Sequence, residues 1–267
     1  MDRTINFLIC GAQKSGTSAL HHTLRQHPQI FLPSIKELHL FDDEQADWSE
    51  SGVARIDQRI APHFHPQPDQ TAVGEATPAS LWWEPAMERI WRYNPQMRLI
   101  AVLRNPISRA WANWRMEQLK GRDDQPFPMS LTEELAHCRG ALPLQDRVRS
   151  YLSRGFYSEQ LRRVWRFFPP QQLLVIKQEE LRQQPSRCLQ RIQQHLGVPA
   201  MPLDATAPDI SWRSIPDAGT AVPEASLPQN PTPTVLRKLR ELYRPEIRCL
   251  EMMLGWNCND WLEEDPA

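Results

Sequence analysis

Residues 11–20, GAQKSGTSAL, connect the short apolar run INFLIC to a stretch with helical periodicity. A strand that turns through glycine into a helix directs the backbone N–H groups of residues 15–18, and the positive end of the helix dipole, at one point. The two glycines keep the spacing of a nucleotide-triphosphate loop, but Thr17 occupies the position where that loop has lysine. Lys14 instead precedes the second glycine. The pattern predicts an anion site, and it leaves open whether this is an altered ATP loop or a loop for another anion.

Short apolar runs recur along the chain, and helical patterns lie between them. Because the runs are almost continuously apolar rather than alternating, they are typical of strands buried on both faces of a parallel sheet. Strands that alternate with helices indicate an α/β fold with right-handed crossovers. The predicted strands are NFLIC (6–10), TAVGEA (71–76), RLIAVL (98–103) and QLLVIK (172–177), with QIFLP (29–33) as a fifth candidate.

We expect residues 1–267 to form a single domain, because no repeat or low-complexity tract divides the chain. Pro85 and Pro106 fit first helical turns, and Gly197 fits a helix C-terminus. Residues 199–233 are rich in proline and predict a loop or lid. The segment 234–256 predicts a C-terminal helical region interrupted at Pro245.

Composition excludes several classes of protein. The 267 residues carry a net charge of −1, so a long polyanion such as nucleic acid is not an expected partner. The absence of a signal peptide and of a long apolar run predicts a cytoplasmic protein without a membrane span. The five cysteines include no C-x-x-C pair, and no histidine cluster has zinc spacing, so we expect neither disulfides nor a metal. The ten tryptophans indicate either a large core or a ring-stacking cleft.

A second anion site is predicted at the end of RLIAVL. Magnesium-dependent phosphoryl transfer places an acidic metal ligand at the end of such a strand. This strand runs into Arg104 instead, and an arginine binds an anion rather than a metal. Two anion sites without a metal site suit a nucleotide with two separated anionic groups, and they argue against ATP hydrolysis.

These segments resemble the sulfotransferases that use 3′-phosphoadenosine 5′-phosphosulfate (PAPS), and above all the branch of heparan sulfate sulfotransferases with its bacterial relatives. The resemblance implies a P-loop-like three-layer fold with a central, mostly parallel sheet flanked by helices. It covers roughly residues 5–197 and 235–256, in order. The segments that carry it are KSGTSAL, HPQIFLPSIKELHLFD, VGEATPASL, LRNPISRAWANW, the stretch GFYSEQLRRVWRFFPPQQLLVIKQEELRQQPSRCLQRIQQHLGV and the closing LRELYRPEIRCLEMMLGW.

The resemblance assigns the donor-binding residues. It implies that the first loop holds the 5′-phosphosulfate, with Lys14 stabilising the charge that develops as the sulfuryl group leaves, and that Arg104 holds the 3′-phosphate. One position departs from the family, because Ala112 stands where a serine is usual. Ser108, one helical turn earlier on the same face, or the adjacent Asn113 would then supply the missing donor. The implied residues of the first loop are Lys14, Ser15, Gly16, Thr17 and Ser18.

The resemblance also implies a catalytic base. An attacking hydroxyl or amine must lose a proton in or near the transition state. Glu37 matches the glutamate of the family's K-E-x-H-x-F core, and His39 matches a histidine that lines the same cleft. Glu75 is a second candidate base, and Ala76 stands where the family often has lysine. The products would be a sulfated acceptor and adenosine 3′,5′-bisphosphate.

Two other classes of function remain open at this stage. One is a small-molecule kinase with an altered loop, and the other is a non-catalytic module that binds a nucleotide or a carbohydrate. For a sulfotransferase, the resemblance suggests a carbohydrate acceptor, while the near-neutral charge favours a sugar, glycolipid or small metabolite over a highly sulfated polymer. The absence of an anchor favours a bacterial enzyme over one of the Golgi type.

Overall fold

The computed structural model describes residues 4–137, 145–205 and 227–263. Its sheet has five strands in the order β2-β3-β1-β4-β5, and every neighbouring pair is parallel. All five predicted strands are present, so the α/β prediction is confirmed. The strands are β1 (Phe7–Gly11), β2 (Ile30–Phe31), β3 (Ala72–Glu75), β4 (Arg98–Leu103) and β5 (Leu173–Lys177).

Helices connect the strands, as parallel pairing requires. The α-helices of the described ranges are α1 (Thr17–Leu24), α2 (Glu50–Ala54), α3 (Ile56–Ile60), α4 (Ala86–Tyr93), α5 (Pro106–Leu119), α6 (Phe127–His137), α7 (Tyr157–Phe167), α8 (Gln178–Gln183), α9 (Pro185–Leu196), α10 (Pro233–Leu254) and α11 (Asn259–Glu263). Short 3-10 turns lie at Ala61–His63, Ser153–Gly155 and Pro170–Gln172.

By its packing the chain divides into two compact units, Met1–Leu103 with Arg162–Ser211 and Arg104–Leu161 with Trp212–Ala267. The first unit holds the sheet. One core cluster of this unit joins strand residues such as Ile9 and Ile100 to Leu20 and Leu24 of α1 and to Leu189 and Ile192 of α9. The apolar character of the strands therefore follows from burial, as predicted. That residues 1–267 act as a single domain stays a prediction.

The second unit is built around α5 and α10. Trp111 and Trp114 stack with their ring centroids 4.7 Å apart, and Phe127 of α6 packs edge-on against Trp111. The Tyr243 hydroxyl of α10 donates to the Leu152 carbonyl at 2.8 Å. Tryptophans of both units are buried, as the core interpretation predicts: Trp82, Trp83, Trp111, Trp114 and Trp261.

Helix boundaries agree with the sequence signals, apart from one. Pro106 opens α5, and Gly197 ends α9 with φ 74°. The predicted interruption at Pro245 is wrong, because α10 continues through it. The buried Tyr243 and Ile247 pack this helix on both sides of the proline, and this packing offsets the hydrogen bond that proline cannot donate.

Much of the predicted loop or lid at 199–233 lies outside the described residues. No helix in the described ranges combines the length and the apolar character that a membrane crossing requires. Cys10, Cys188, Cys249 and Cys258 are free thiols, and Cys138 lies outside the described residues.

Candidate active site

The first loop leaves the carboxyl end of β1 and enters α1. At Gly11 an added Cβ would lie 2.4 Å from the Leu81 side chain, so this glycine is required for packing. Gly16 has φ 87° and forms the N-cap of α1, a conformation that glycine adopts without a steric penalty. The Ser15 amide donates to the Ala12 carbonyl at 3.2 Å and closes the loop ahead of the helix.

The beginning of α1 has unused hydrogen-bonding capacity. No side chain in the described part of the chain caps its N-terminus, so the first-turn N–H groups lack the usual intrahelical or side-chain acceptor there. The Ser15 side chain is fully buried, and its hydroxyl has no hydrogen-bond partner among the described residues. Thr17 is also buried. Donors of this kind at a helix N-terminus suit an anion, and the anion site at Ser15, Gly16, Thr17 and Ser18 stays a prediction.

A second segment, residues 36–42, is bonded to the end of β3. The Glu37 amide donates to the Ala76 carbonyl at 3.0 Å, and the His39 amide donates to Thr77 Oγ1 at 3.3 Å. β3 pairs with β1 in parallel. The first loop therefore leaves the same carboxyl edge of the sheet as the residues after β3, to which this segment is hydrogen-bonded. Ligand sites of parallel α/β sheets lie at this edge.

Backbone strain marks the same residues that the resemblance assigns to catalysis. Within the described ranges, the non-glycine residues with positive φ are Lys14 (69°), Glu37 (62°) and His39 (52°). Such conformations are uncommon for residues with a side chain, and they concentrate at active sites and ligand sites. Two separate loops therefore carry strain at the three predicted catalytic positions.

Glu37 is the most accessible carboxylate of this segment. Its side chain is 37% exposed, and the Lys36 ammonium pairs with its Oε1. An exposed, ion-paired carboxylate is able to accept a proton from a bound acceptor. Neighbouring residues of an extended strand point to opposite sides, but the left-handed backbone at Glu37 accompanies a direct contact between the Lys36 and Glu37 side chains.

His39 and Asp42 form an ion pair. His39 Nδ1 lies 2.9 Å from Asp42 Oδ2, and the Asp42 side chain is fully buried. The hydrogen bond to Asp42 raises the pKa of His39, against the effect of burial, so the charged imidazolium is favoured. Sequence reasoning missed Asp42, although its position three residues after His39 is a signal for such a pair.

Glu75 lies at the end of β3 without solvent contact. Burial raises its pKa to about 8, and the Thr77 hydrogen bond and the charges of His39 and Lys36 oppose the shift while the Asp42 charge adds to it. Thr77 Oγ1 donates to Glu75 Oε2 at 2.9 Å. Thr77 was not predicted, and the short spacing from Glu75 at a strand end is the signal that identifies it.

The predicted second anion segment begins the other compact unit. The Arg104 carbonyl accepts a hydrogen bond from the Tyr157 hydroxyl at 2.9 Å. Asn105 Oδ1 accepts from the amides of Ile107 at 2.9 Å and Ser108 at 3.4 Å, so α5 has a side-chain cap. Asn105 was not predicted, although asparagine before Pro106 is a common helix start.

The two replacements predicted for the missing serine have different surroundings. Ser108 is 8% exposed and shares a helix face with Ala112, which is partly exposed. Asn113 is 1% exposed, and its Oδ1 accepts from Arg109 at 3.2 Å. Ser108 therefore lies on the more accessible face of α5, whereas Asn113 is buried inside the second unit.

No group of histidine, cysteine or acidic side chains within the described ranges is arranged to hold a metal ion. His21, a buried histidine beside the first loop, has a structural contact instead: its Nε2 lies 3.1 Å from the Pro33 carbonyl. Burial, together with the Lys36 charge, lowers its pKa to about 4. A neutral imidazole that donates to a carbonyl tethers the chain ahead of residue 36.

Comparison with known proteins identifies the family of this chain. Residues 4–213 match a family model described as "Sulfotransferase domain". The chain is 30% identical over 203 residues to human bifunctional heparan sulfate N-deacetylase/N-sulfotransferase 3, a match that covers 74% of this chain and 23% of that protein. It is 27% identical over 192 residues to human heparan sulfate glucosamine 3-O-sulfotransferase 5, covering 72% and 53%. The match thus spans about a quarter or half of these relatives.

Solved structures show the same fold. A sulfotransferase from Alicyclobacillus acidocaldarius superimposes with a TM-score of 0.77 at 24% identity, covering 98% of this chain and 99% of that one. The sulfotransferase domain of the curacin biosynthetic pathway gives a TM-score of 0.53 at 16% identity, covering 96% and 99%. At these identities the likeness establishes the fold, which is the predicted P-loop-like arrangement of a parallel sheet between helices.

Proposed function

We propose that this chain, which belongs to the sulfotransferase family, transfers the sulfuryl group of PAPS to a hydroxyl or amine of a carbohydrate or small-molecule acceptor. The observation that carries the site assignment is the left-handed backbone at Lys14, Glu37 and His39. A fold tolerates such strain where the strained residue must be held in one orientation.

In this proposal the first loop binds the 5′-phosphosulfate. Donors come from the first turn of α1 and the Ser15 hydroxyl, which have no side-chain cap and no hydrogen-bond partner within the described ranges, and from the side chains of Thr17 and Ser18. Gly16 allows the backbone to approach the anion. Lys14 supplies the positive charge that stabilises the leaving bisphosphate, a fixed electrostatic contribution that strengthens as charge develops.

Transfer then needs one proton acceptor. The acceptor oxygen or nitrogen forms a bond to sulfur while the bond from sulfur to the bridging oxygen of the donor breaks. The acceptor proton passes to Glu37, and adenosine 3′,5′-bisphosphate leaves. The pairing with Lys36 orients the Glu37 carboxylate. His39, held by Asp42, contacts the acceptor from the same segment.

The 3′-phosphate is assigned to Arg104, since a guanidinium binds phosphate through charge-assisted hydrogen bonds. Because Ala112 offers no hydroxyl, Ser108 is the better replacement and Asn113 the second candidate. The proposed donor chemistry uses no metal, because Lys14 and Arg104 supply the charge that a magnesium ion provides in kinases.

The acceptor class is proposed from the relatives and the charge. The names of two relatives refer to heparan sulfate and to glucosamine, which favours a sugar hydroxyl or amine. The net charge of −1 favours an acceptor without many sulfates. A cytoplasmic, bacterial setting stays a prediction from the sequence.

Binding tests the donor assignment first. We expect adenosine 3′,5′-bisphosphate to bind in a calorimetric titration without magnesium, and more tightly than ATP with magnesium. Equal or stronger binding of magnesium ATP would favour the kinase alternative. Radiolabelled PAPS, incubated with a panel of glucosaminyl oligosaccharides, glycolipids and small hydroxylated or amino compounds, then identifies the acceptor class.

Replacing the base separates an enzyme from a binding module. Glu37→Gln should preserve bisphosphate affinity and reduce sulfate transfer by about a hundredfold or more, since general base catalysis contributes about 10²–10⁴-fold. Glu88→Gln, at an exposed glutamate of α4, is the matched control. Bisphosphate binding without transfer to any acceptor in the panel would indicate the non-catalytic module.

A further inference from the structure

We propose that Glu75 and Thr77 are positioning residues that together hold the segment carrying Glu37 and His39 in its productive conformation. The inference rests on the proposed function, since it concerns the orientation of the proposed base. It also separates Glu75 from Glu37: the two glutamates have different tasks at the same sheet edge.

The contacts form a continuous chain from β3 to the base. Glu75 Oε2 accepts from the Thr77 hydroxyl at 2.9 Å. The oxygen of that hydroxyl accepts from the His39 amide at 3.3 Å, so Glu75 fixes the direction in which Thr77 offers its lone pair. The neighbouring Ala76 carbonyl accepts from the Glu37 amide at 3.0 Å. Each of the two strained residues of the segment is therefore bonded through its backbone to residues 76–77.

Burial excludes a direct role for this pair. Glu75 and Thr77 have no solvent exposure, whereas the Glu37 side chain is 37% exposed. An acceptor molecule that reaches Glu37 does not touch Glu75. The Glu75 Oε1 atom has no hydrogen-bond partner among the described residues, and a buried carboxylate oxygen without a donor favours the protonated form.

The surroundings explain why the charge state matters. Asp42, His39, Lys36 and Cys10 are the titratable groups coupled to Glu75. Since burial raises the pKa of Glu75 to about 8, the carboxyl is neutral near neutral pH. Its ionisation at higher pH places an unpaired negative charge beside buried Asp42. A neutral Glu75 still accepts from Thr77, so the anchor is intact at neutral pH. Ionisation keeps this hydrogen bond but adds repulsion between Glu75 and Asp42, and this repulsion should displace the segment.

Removal of the Thr77 hydroxyl tests the anchor. Thr77→Val keeps the shape of the side chain and should lower kcat by about ten- to a hundredfold, because small displacements of a reacting group have effects of this size. The KM for PAPS and the affinity for adenosine 3′,5′-bisphosphate should change by less than about threefold. Hydrogen–deuterium exchange in the peptide covering residues 34–42 should accelerate, since the His39 amide loses its acceptor. Thr77→Ser should restore both the rate and the slow exchange.

Glu75→Gln tests the charge without removing the acceptor for Thr77. Wild-type kcat, normalised to its own maximum, should decline as the pH rises through about 8. The normalised profile of Glu75→Gln should lack this decline, because an amide does not ionise. This variant also keeps the inference testable if Thr77→Val does not fold.

The outcomes separate this inference from the proposed function. If wild type transfers sulfate, but Thr77→Val leaves kcat and exchange unchanged and the two normalised pH profiles superimpose, the positioning role is wrong and the proposed function stands. If wild type neither binds the bisphosphate nor transfers sulfate, the proposed function is wrong, and the expected effect of Thr77→Val on kcat is wrong as well. Faster exchange in Thr77→Val would then establish the anchor as a structural contact only.

Discussion

Two helices begin soon after the parallel strands β1 and β4, and their first turns differ in what satisfies the backbone N–H groups. In α1 the N-cap is left-handed Gly16. Among the described residues no side chain caps this helix, and the buried Ser15 hydroxyl beside it has no hydrogen-bond partner. In α5 the Asn105 side chain accepts from two amides of the first turn. Within the described residues, the first helix start therefore lacks a side-chain cap, whereas the second has one.

This difference implies two ways of holding an anion. At α1 the backbone itself is available, so a bound phosphosulfate would replace the missing cap. At α5 the cap occupies those N–H groups, so an anion must be bound by side chains such as Arg104 and Ser108. Each of the following experiments alters one side of this contrast.

The largest effect is expected at Lys14. Lys14→Met should lower kcat by about 10²–10³-fold, the size of loss known for removal of one fixed electrostatic donor. The affinity for adenosine 3′,5′-bisphosphate should fall far less, because charge is greatest in the transition state. Steady-state kinetics and calorimetry measure the two quantities, and Lys238→Met, at an exposed position of α10, is the control. An equal loss in kcat and in affinity would make Lys14 a binding residue only.

Substitution of Arg104 should have the next largest effect, and this effect should be on the affinity for the bisphosphate rather than on kcat. Arg104→Met removes charge-assisted hydrogen bonds of about 1.5–3 kcal/mol, which corresponds to a loss of bisphosphate affinity of about ten- to a hundredfold. Adenosine 5′-monophosphate, which lacks the 3′-phosphate, should bind both proteins alike in calorimetry. Arg237→Met, exposed on α10, is the control. Weaker binding of the monophosphate as well would place Arg104 elsewhere on the nucleotide.

A smaller effect, on stability, is expected at Asn105. Asn105→Ala removes the cap of α5 and should lower the free energy of unfolding by about 1 kcal/mol, measured by chemical denaturation. Asn105→Asp keeps an acceptor and should remain close to wild type. The loss should be the same with and without bisphosphate, because the ligand does not replace this cap. If saturating bisphosphate abolishes the difference, the contrast between the two helix starts is wrong.

The fold was predictable because its main signals are local. Near-continuous apolar runs identified all five strands, including the two-residue β2 (Ile30–Phe31), and Pro106 and Gly197 marked helix ends. Pro245 was misread, because the packing of α10 around Tyr243 and Ile247 outweighs a local signal. The residues next to the proline in the sequence do not specify tertiary contacts of this kind.

The site was predictable only as a list of residues. Motif order pointed to Lys14, Glu37 and His39, but no local pattern specifies that all three have positive φ. Asp42, Thr77 and Asn105 act through partners whose bonds depend on backbone geometry. Packing of the whole sheet edge buries Glu75 and raises its pKa. Local sequence does not show this burial, and Glu75 was therefore predicted only as a second candidate base.

Substitution of Ala112 should have the smallest effect, and it tests most directly whether side chains on α5 bind the 3′-phosphate. Ala112→Ser restores the hydroxyl that the family usually has and should tighten bisphosphate binding by about two- to fivefold, the equivalent of about 0.5–1 kcal/mol for one added hydrogen bond. Ser108→Ala should weaken binding by a similar factor, and Ala112→Ser should compensate for it in the double variant. If Ala112→Ser tightens binding while Ser108→Ala has no effect, the native replacement is Asn113. If neither variant changes the affinity measured by calorimetry, Arg104 holds the 3′-phosphate without help from this face of α5.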